Sequence, residues 1–476
     1  MMLLDQPTWQ SRFFSNGWIS GDGGDAAVVE PATGTELGRV GIATPADVGA
    51  AARAAAAAQV EWAALPHPAR AAVLRKAGDL WQENAQEVRD WIVRETGAVP
   101  PKGDFEIGVA AQECYEAAAL PSRPYGELLP SLDGRLSMAR RVPAGVVGVI
   151  SPFNFPLILS IRSVAPALAL GNAVLLKPDP RTAVSGGLLL AGIFAAAGLP
   201  EGLLHVLPGG PDVGEAVIAD PRVRVVSFTG STRAGRRVGE VAAANLTRVH
   251  LELGGNSALV VLDDADLDRA ISAGAWGSFN HQGQICMTTG RHLVHESIYD
   301  EYVERLAKKA DALELGPVID AGQRDKIHAL VTGSVERGAR LAAGGTFTGL
   351  FYRPTVLAEV TPEMPAYAEE VFGPVAPVAR FGSLDEAASL ASGTEYGLSL
   401  GIITRDVTKG LALADRIPTG IVHINDQTVN DEANVPFGGV GASGTGARFG
   451  GAAANVEAFT ETRWVTVRGD VPTYPF

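Results

Sequence analysis

Cysteine is almost missing from this chain: Cys114 and Cys286 are the only two in 476 residues. Two thiols build neither a disulfide framework nor a cysteine-based zinc site, so no metal is expected. Free thiols point to a reducing compartment, the cytoplasm, and leave few candidates if one of them is a nucleophile. Cys114, in a helical stretch without supporting motifs, reads as structural. Positive charge is also short, with 39 Lys and Arg against 53 Asp and Glu and a formal net charge of −14. Nucleic acids and anionic membranes attract concentrated basic residues, so neither is expected as a partner. Unbroken apolar runs are lacking as well. The most apolar stretch, Val142 to Lys177, is interrupted by Pro143, Pro152, Asn154, Pro156, Arg162 and Pro166. A bilayer span takes about 20 apolar residues almost without charge, so this stretch reads as buried core. The start, MMLLDQPTWQSRFF, lacks the basic, apolar and small-residue regions of a signal peptide.

What is present is globular: 46% hydrophobic and 19% charged residues, in a chain too long for one core, which predicts two or three domains. From Gly145 onward, short apolar runs alternate with Ala- and Gly-rich helical stretches. Strands are expected at 145–151, 172–178, 203–209, 223–231 and 248–255, with helices at 156–170, 182–197, 213–219 and 232–244. Strands this short, β-branched and apolar on both faces suit a parallel sheet covered by helices, a doubly wound nucleotide-binding architecture. A second α/β set follows, with a strand at 257–263, helices near 265–280, 297–312 and 321–338, and strand–helix–strand from Val375 to Ile424. Upstream, residues 45–120 read as mainly helical and 121–142 as an extended excursion. WVTVR (464–468) is a strand with no local partner, which seeks an edge in this chain or in a neighbouring subunit.

Four places suggest chemistry. Cys286 lies in FNHQGQICMTTGR (279–291); taken alone it reads as an apolar filler between Ile285 and Met287. Gly283-Gln284 just before it predicts a tight turn whose amide dipoles stabilise a thiolate, below the free thiol value of about 8.5. A thiolate attacks an aldehyde carbonyl, splitting one hard step into two easier ones. Glu252 in LELGG sits at the end of an apolar strand, where α/β ligands bind, although alone it also reads as an ordinary surface acid. Asn154 in SPFNFP either points its amide at a developing oxyanion or satisfies turn backbone. Lys177 in LLKP, Gly209 and Gly214, and FTGSTRAG (228–235) with Gly230 and Ser231 follow strands, where glycines let phosphate approach a helix N-terminus.

FNHQGQIC, LELGG, SPFNFP, LLKP, FTGST, EEVFGP (369–374) and PFGGVGASG (436–444) resemble, in order and spacing, the motifs of the aldehyde dehydrogenase superfamily. The resemblance runs from about Trp18 to Val467, and its details are most similar to the benzaldehyde dehydrogenase branch, near vanillin and salicylaldehyde dehydrogenases. It implies that Cys286 is the nucleophile, that Asn154 and the Cys286 N–H form the oxyanion hole, and that Glu252 activates the hydrolytic water. For the cofactor, NAD with NADP as the alternative, it implies Lys177 at the adenine ribose and Ser231 at the pyrophosphate. Glu370 would hold the nicotinamide ribose with Phe372 close by. It implies an NAD(P)-binding domain at 1–120 and 143–252 and a catalytic domain at 253–445. Oligomerisation strands would lie at 121–142 and 458–476, making a homodimer or a pair of dimers.

Several positions depart from the family pattern. Pro180 stands where many NAD-preferring members have Glu, leaving NADP use open. His281 replaces Asn. Arg162 replaces a Trp of the substrate box, either facing a polar ring substituent or directed to the surface. Arg448 stands where some members have a second Glu, and the segment before Leu315-Gly316-Pro317 is short. An apolar and aromatic pocket of Phe155, Ile285, Met287 and Phe437, with Arg162, fits a flat aryl aldehyde. The competing expectations are an aliphatic or semialdehyde substrate, an acylating enzyme using coenzyme A, and a non-catalytic binding protein.

Overall fold

The computed structural model describes residues 3–123 and 125–476. Its first sheet is built from the alternating apolar runs. Arg248–Glu252, Val223–Thr229, Val146–Ile150, Ala173–Lys177 and Leu204–Val206 lie side by side in that order, all parallel. Phe13–Ser15 and Trp18–Ile19 extend the edge antiparallel, an addition the sequence reading did not include. Val146, Val147, Val149 and Ile150 are buried, which is why the strand needs helices on both faces. Strand order reverses between Val146–Ile150 and Val223–Thr229, and ligands bind outside the carboxyl ends of such a reversal. Those ends deliver Asn154, Lys177, Gly230 and Glu252.

Four long helices precede the parallel strands of this sheet: Pro45–Ala64, His67–Glu83, Ala85–Thr96 and Pro100–Ala119. The first opens on a capping box in which Thr44 and Asp47 satisfy each other's backbone N–H. The last packs on both His67–Glu83 and Pro156–Ala169.

The continuous helix expected over 182–197 is not formed. A 3₁₀ turn at Pro180–Thr182 leads into a π-helical turn, Val184–Leu188, and only Leu189–Ala196 is α-helical. The cause lies in another helix. Buried Glu95 accepts from Val184 N at 3.0 Å and Ser185 N at 2.6 Å, capping the wide turn.

The second sheet runs Arg340–Ala343, Thr355–Ala358, Val375–Phe381, Thr289–His295, Ser257–Val261, Ser399–Ile403 and Ile421–Ile424. All neighbours are parallel except Arg340–Ala343. Thr289–His295 and Thr355–Ala358 were not anticipated. A third, exposed sheet pairs Thr460–Val467 antiparallel with Leu136–Pro143, which in turn pairs with Gly126–Leu128. The strand without a local partner therefore finds its edge within this chain. Within the two stretches 121–142 and 458–476, Leu120–Ser122 is a 3₁₀ turn and residues 458–459 still belong to the helix Ala452–Phe459. Among the described residues no helix is long and apolar enough to cross a membrane.

Candidate active site

Chain direction changes sharply after Ile150. Pro156 fixes the first turn of the helix Pro156–Ala169, but Phe155 provides no side-chain cap. The free N–H groups of Leu157 and Ile158 donate instead to Glu106 Oε2, at 3.0 and 3.2 Å. Glu106 is paired with Lys102, one turn earlier on Pro100–Ala119, and both side chains are almost wholly buried. Lys102 Nζ also donates to the Asn154 carbonyl at 2.8 Å. Sequence reasoning missed this pair because Lys and Glu four apart on a helix read as a solvated face.

The Cys286 segment is a tight turn, as Gly283-Gln284 predicts. His281, Gln282 and Gly283 follow one another at φ of 46°, 55° and 64°. A Cβ on Gly283 would fall 2.1 Å from the Gly373 carbonyl, so only glycine fits. The Gln284 carbonyl accepts from Asn154 Nδ2 at 2.8 Å, while Gln284 Oε1 accepts from Ile319 N at 3.0 Å. Asn154 thus ties the two loops together. The expected stabilised thiolate is not found: burial, then the carboxylates Glu370 and Glu252, push the Cys286 thiol up to about 12.

Glu252 is buried at the end of its strand. Burial raises its carboxyl well above the ordinary range, against the pull of Arg162 and Arg448. Among the described residues neither of its side-chain oxygens meets a hydrogen-bond partner. Arg448 turns its Nη1 to the Gly439 and Ala447 carbonyls, and Gly438 borders both Arg448 and Glu252.

Arg162 is not directed to the surface. It is buried, with Nη2 2.7 Å from Asp431 Oδ1 and 3.8 Å from Glu113 Oε1, and its guanidinium lies 4.7 Å over the Phe437 ring. Glu113 and Asp431 were not singled out from the sequence, since no spacing links them to position 162.

One cavity of about 490 Å³ brings these parts together. Cys286 and Asn154 lie on its wall with Phe155, Arg162, Ile285, Met287 and Phe437, and Ile158, Leu159 and Phe105 add apolar surface. Phe155 meets His281 edge-on at 5.4 Å. Glu252 is not part of that wall.

The residues expected at a cofactor lie outside the lining of this cavity. Lys177 ends its strand half-buried, and Ser231 caps Thr232–Asn245 by accepting from Ala234 N at 3.3 Å. Gly230 is packed against the Phe228 ring, whereas a Cβ on Gly214 would meet only Ile150 Cδ1, at 3.8 Å. Glu370 Oε1 accepts from Gly255 N at 3.0 Å, and burial raises its carboxyl to about 7. Phe372, at φ 53°, meets Phe153 edge-on at 5.9 Å. An amine at one strand end, a capped helix N-terminus at Ser231 and the acid Glu370 are groups of the kind that hold a dinucleotide. Asp179, beside Pro180, spends its carboxylate on Arg181, whose Nη2 is 2.8 Å away.

The sequence profile of the aldehyde dehydrogenase family matches residues 18–465. The chain is 71% identical to a vanillin dehydrogenase of Amycolatopsis sp., over all of both chains. It is 51% identical to an NAD(+) benzaldehyde dehydrogenase of Pseudomonas putida, over 99% of each. Among solved structures, a salicylaldehyde dehydrogenase of Pseudomonas putida complexed with salicylaldehyde superimposes with a TM-score of 0.94 at 34% identity, covering 98% of this chain and 99% of the other. With this fold, this cavity and matches over nearly its whole length, the chain belongs to the aldehyde dehydrogenase family, enzymes that oxidise aldehydes with NAD(P).

Proposed function

We propose that this enzyme oxidises an aromatic aldehyde of the benzaldehyde or vanillin type to the carboxylic acid, with Cys286 as nucleophile. The observation that carries the reading is the cavity itself: a thiol and a primary amide line a largely apolar, partly aromatic chamber, with Arg162 and Asp431 paired in its lining. The names of the relatives at 71% and 51% identity support the aryl assignment.

Cys286 loses its proton to Glu252, whose raised carboxyl makes it a base matched to the thiol. Arg162 draws both groups toward their ionised forms. The thiolate adds to the aldehyde carbon. Asn154 has two amide hydrogens, of which the Gln284 carbonyl takes one, leaving the other for the oxyanion beside the Cys286 backbone N–H. Lys177 and Glu370 would hold the two riboses of the cofactor, Gly230, Ser231 and Gly214 would border its pyrophosphate, and Phe372 would lie near its nicotinamide. A bound nicotinamide would supply the hydride acceptor that conversion of the Cys286 thiohemiacetal to a thioester requires. Glu252, having released the thiol proton to solvent, then takes a proton from the attacking water, and the adduct expels the Cys286 thiolate as it releases the acid. Retention of this carboxylate disfavours transfer to coenzyme A, which needs no activated water.

NAD is the preferred cofactor. NADP is accepted as well, because Pro180 carries no charge and Asp179 is neutralised by Arg181. A semialdehyde bearing a carboxylate is disfavoured: Arg162 is spent on Asp431, and Lys102 on Glu106. The exposed side chains Leu128, Leu136, Trp464 and Val467 on the third sheet support assembly of copies through it, as a dimer or pair of dimers.

The test is formation of reduced nicotinamide from benzaldehyde or vanillin with NAD and, separately, NADP. Turnover that vanishes in Cys286→Ala while cofactor binding persists supports the reading. Activity confined to succinic semialdehyde or long-chain aldehydes overturns the aromatic assignment.

A further inference from the structure

We propose that Lys102 and Glu106 are a positioning pair that aims the Asn154 amide at the reacting carbonyl and thereby sets the rate of thiohemiacetal formation. The proposal rests on the reading of Asn154 as an oxyanion donor.

Asn154 is anchored at both ends. Its side chain donates to the Gln284 carbonyl at 2.8 Å, on the Cys286 loop. Its own carbonyl is gripped by Lys102 Nζ at 2.8 Å, from the helix Pro100–Ala119. The same ammonium lies 4.5 Å over the ring of Phe155, the next residue. Glu106 completes the clamp by accepting from Lys102 and from Leu157 N and Ile158 N. Two side chains therefore fix every residue from 154 to 158 except Pro156, which is rigid by itself.

Burying a full ionic pair is costly, and apolar replacements of similar volume often do as well or better for stability. A loop needing only a cap at Pro156 would be served by a neutral acceptor. Lys102 adds a directed donor on the peptide oxygen of the residue whose amide faces the cavity. Holding that plane fixes where the remaining Nδ2 hydrogen points. Misplacement of such a group by about 1 Å costs up to about 100-fold in rate. Lys102 itself lies on the cavity wall, but its donors are turned to Glu106 and Asn154, so it acts through Asn154.

The test is a kinetic cycle of the double variant Lys102→Met/Glu106→Gln with Asn154→Ala. Gln keeps an acceptor for the helix N–H groups, so the clamp loses its charges and not its cap. The expected result is a 10- to 100-fold fall in kcat/KM and in the pre-steady-state rate of hydride formation, with NAD dissociation unchanged. In the Asn154→Ala background the same pair of changes has less than about a threefold further effect, because the group it positions is gone. Equal losses in both backgrounds, or no loss in the native one, overturn the proposal. If Asn154→Ala alone retains native kcat/KM, the oxyanion reading fails, and the proposal falls with it. If the double variant does not fold, Lys102→Arg in the same cycle replaces it, with the same criterion.

Discussion

Replacing Arg162 by Met should show what this residue is for. The guanidinium is 2% exposed and makes its ion pair with Asp431 at 2.7 Å, with Glu113 at 3.8 Å behind it. Met fills the stem but leaves two carboxyl groups facing each other in a dry site. Burial already pushes Glu113 up to about 8, so it stays protonated at neutral pH and adds little to the loss. Asp431 loses its only strong partner, and breaking a buried pair from one side costs about 3–5 kcal/mol. Equilibrium unfolding in urea, followed by tryptophan fluorescence, reads that loss as a lower midpoint at unchanged slope. The triple variant Arg162→Met/Glu113→Gln/Asp431→Asn removes the orphaned charges and should recover most of it. Turnover supplies a second reading, since Arg162 lowers the carboxyl of Glu252 toward its working form, and its removal moves the acid limb of the rate profile to higher pH. A loss below about 1 kcal/mol, or a triple variant no more stable than Arg162→Met, refutes the argument that the site is held by this ion pair.

Three further outcomes are expected. Glu252 works ionised and its carboxyl is raised, so activity is lost as pH falls through that raised value; Glu252→Gln should abolish this limb, cut steady-state turnover by about 10²–10⁴, and slow the first burst of reduced nicotinamide too, because Glu252 also takes the Cys286 proton. Unchanged turnover would remove Glu252 from the mechanism. Pro180→Glu sets a carboxylate where Asp179 is already paired, so kcat/KM with NADP should fall at least about tenfold relative to NAD, about 1.4 kcal/mol; an unchanged ratio would show that this position does not meet the cofactor. Glu113 is a carboxyl raised in the fold, so the native state holds its proton after the unfolded chain has released it. Stability is therefore full below the ordinary carboxylate range and lost as pH rises toward about 8, and Glu113→Gln should flatten that decline in urea midpoints measured from pH 5 to 8.

What was legible in the sequence is what depends on neighbours along the chain. Parallel strands such as Val146–Ile150 announce themselves by apolar residues on both faces, and the turn before Cys286 by Gly283-Gln284. The illegible parts are decided by distant partners. The helix expected over 182–197 loses its first turns to Glu95, some 90 residues earlier. Arg162 offered two readings, surface or substrate, and the structure supplies a third through Asp431, 269 positions away. The thiol of Cys286 was expected to be lowered by local dipoles, yet burial and the acids Glu370 and Glu252 dominate.

The same asymmetry explains why the three proposed catalytic residues stand out in the sequence and their supports do not. Asn154, Glu252 and Cys286 each sit at a strand end or turn with its own motif. The groups that orient or charge them are ordinary Lys, Arg, Glu and Asp whose burial no local pattern records. Lys102 and Glu106, four apart on a helix, would be worth a few tenths of a kcal/mol on a wet surface. In the interior the same pair cannot be left half-made, so it is forced to satisfy every donor and acceptor nearby. That demand is what ties it to Asn154 and to the first N–H groups of Pro156–Ala169. A buried ionic pair next to a catalytic loop therefore acts as a geometric constraint first, and its contribution is to be sought in rate before stability.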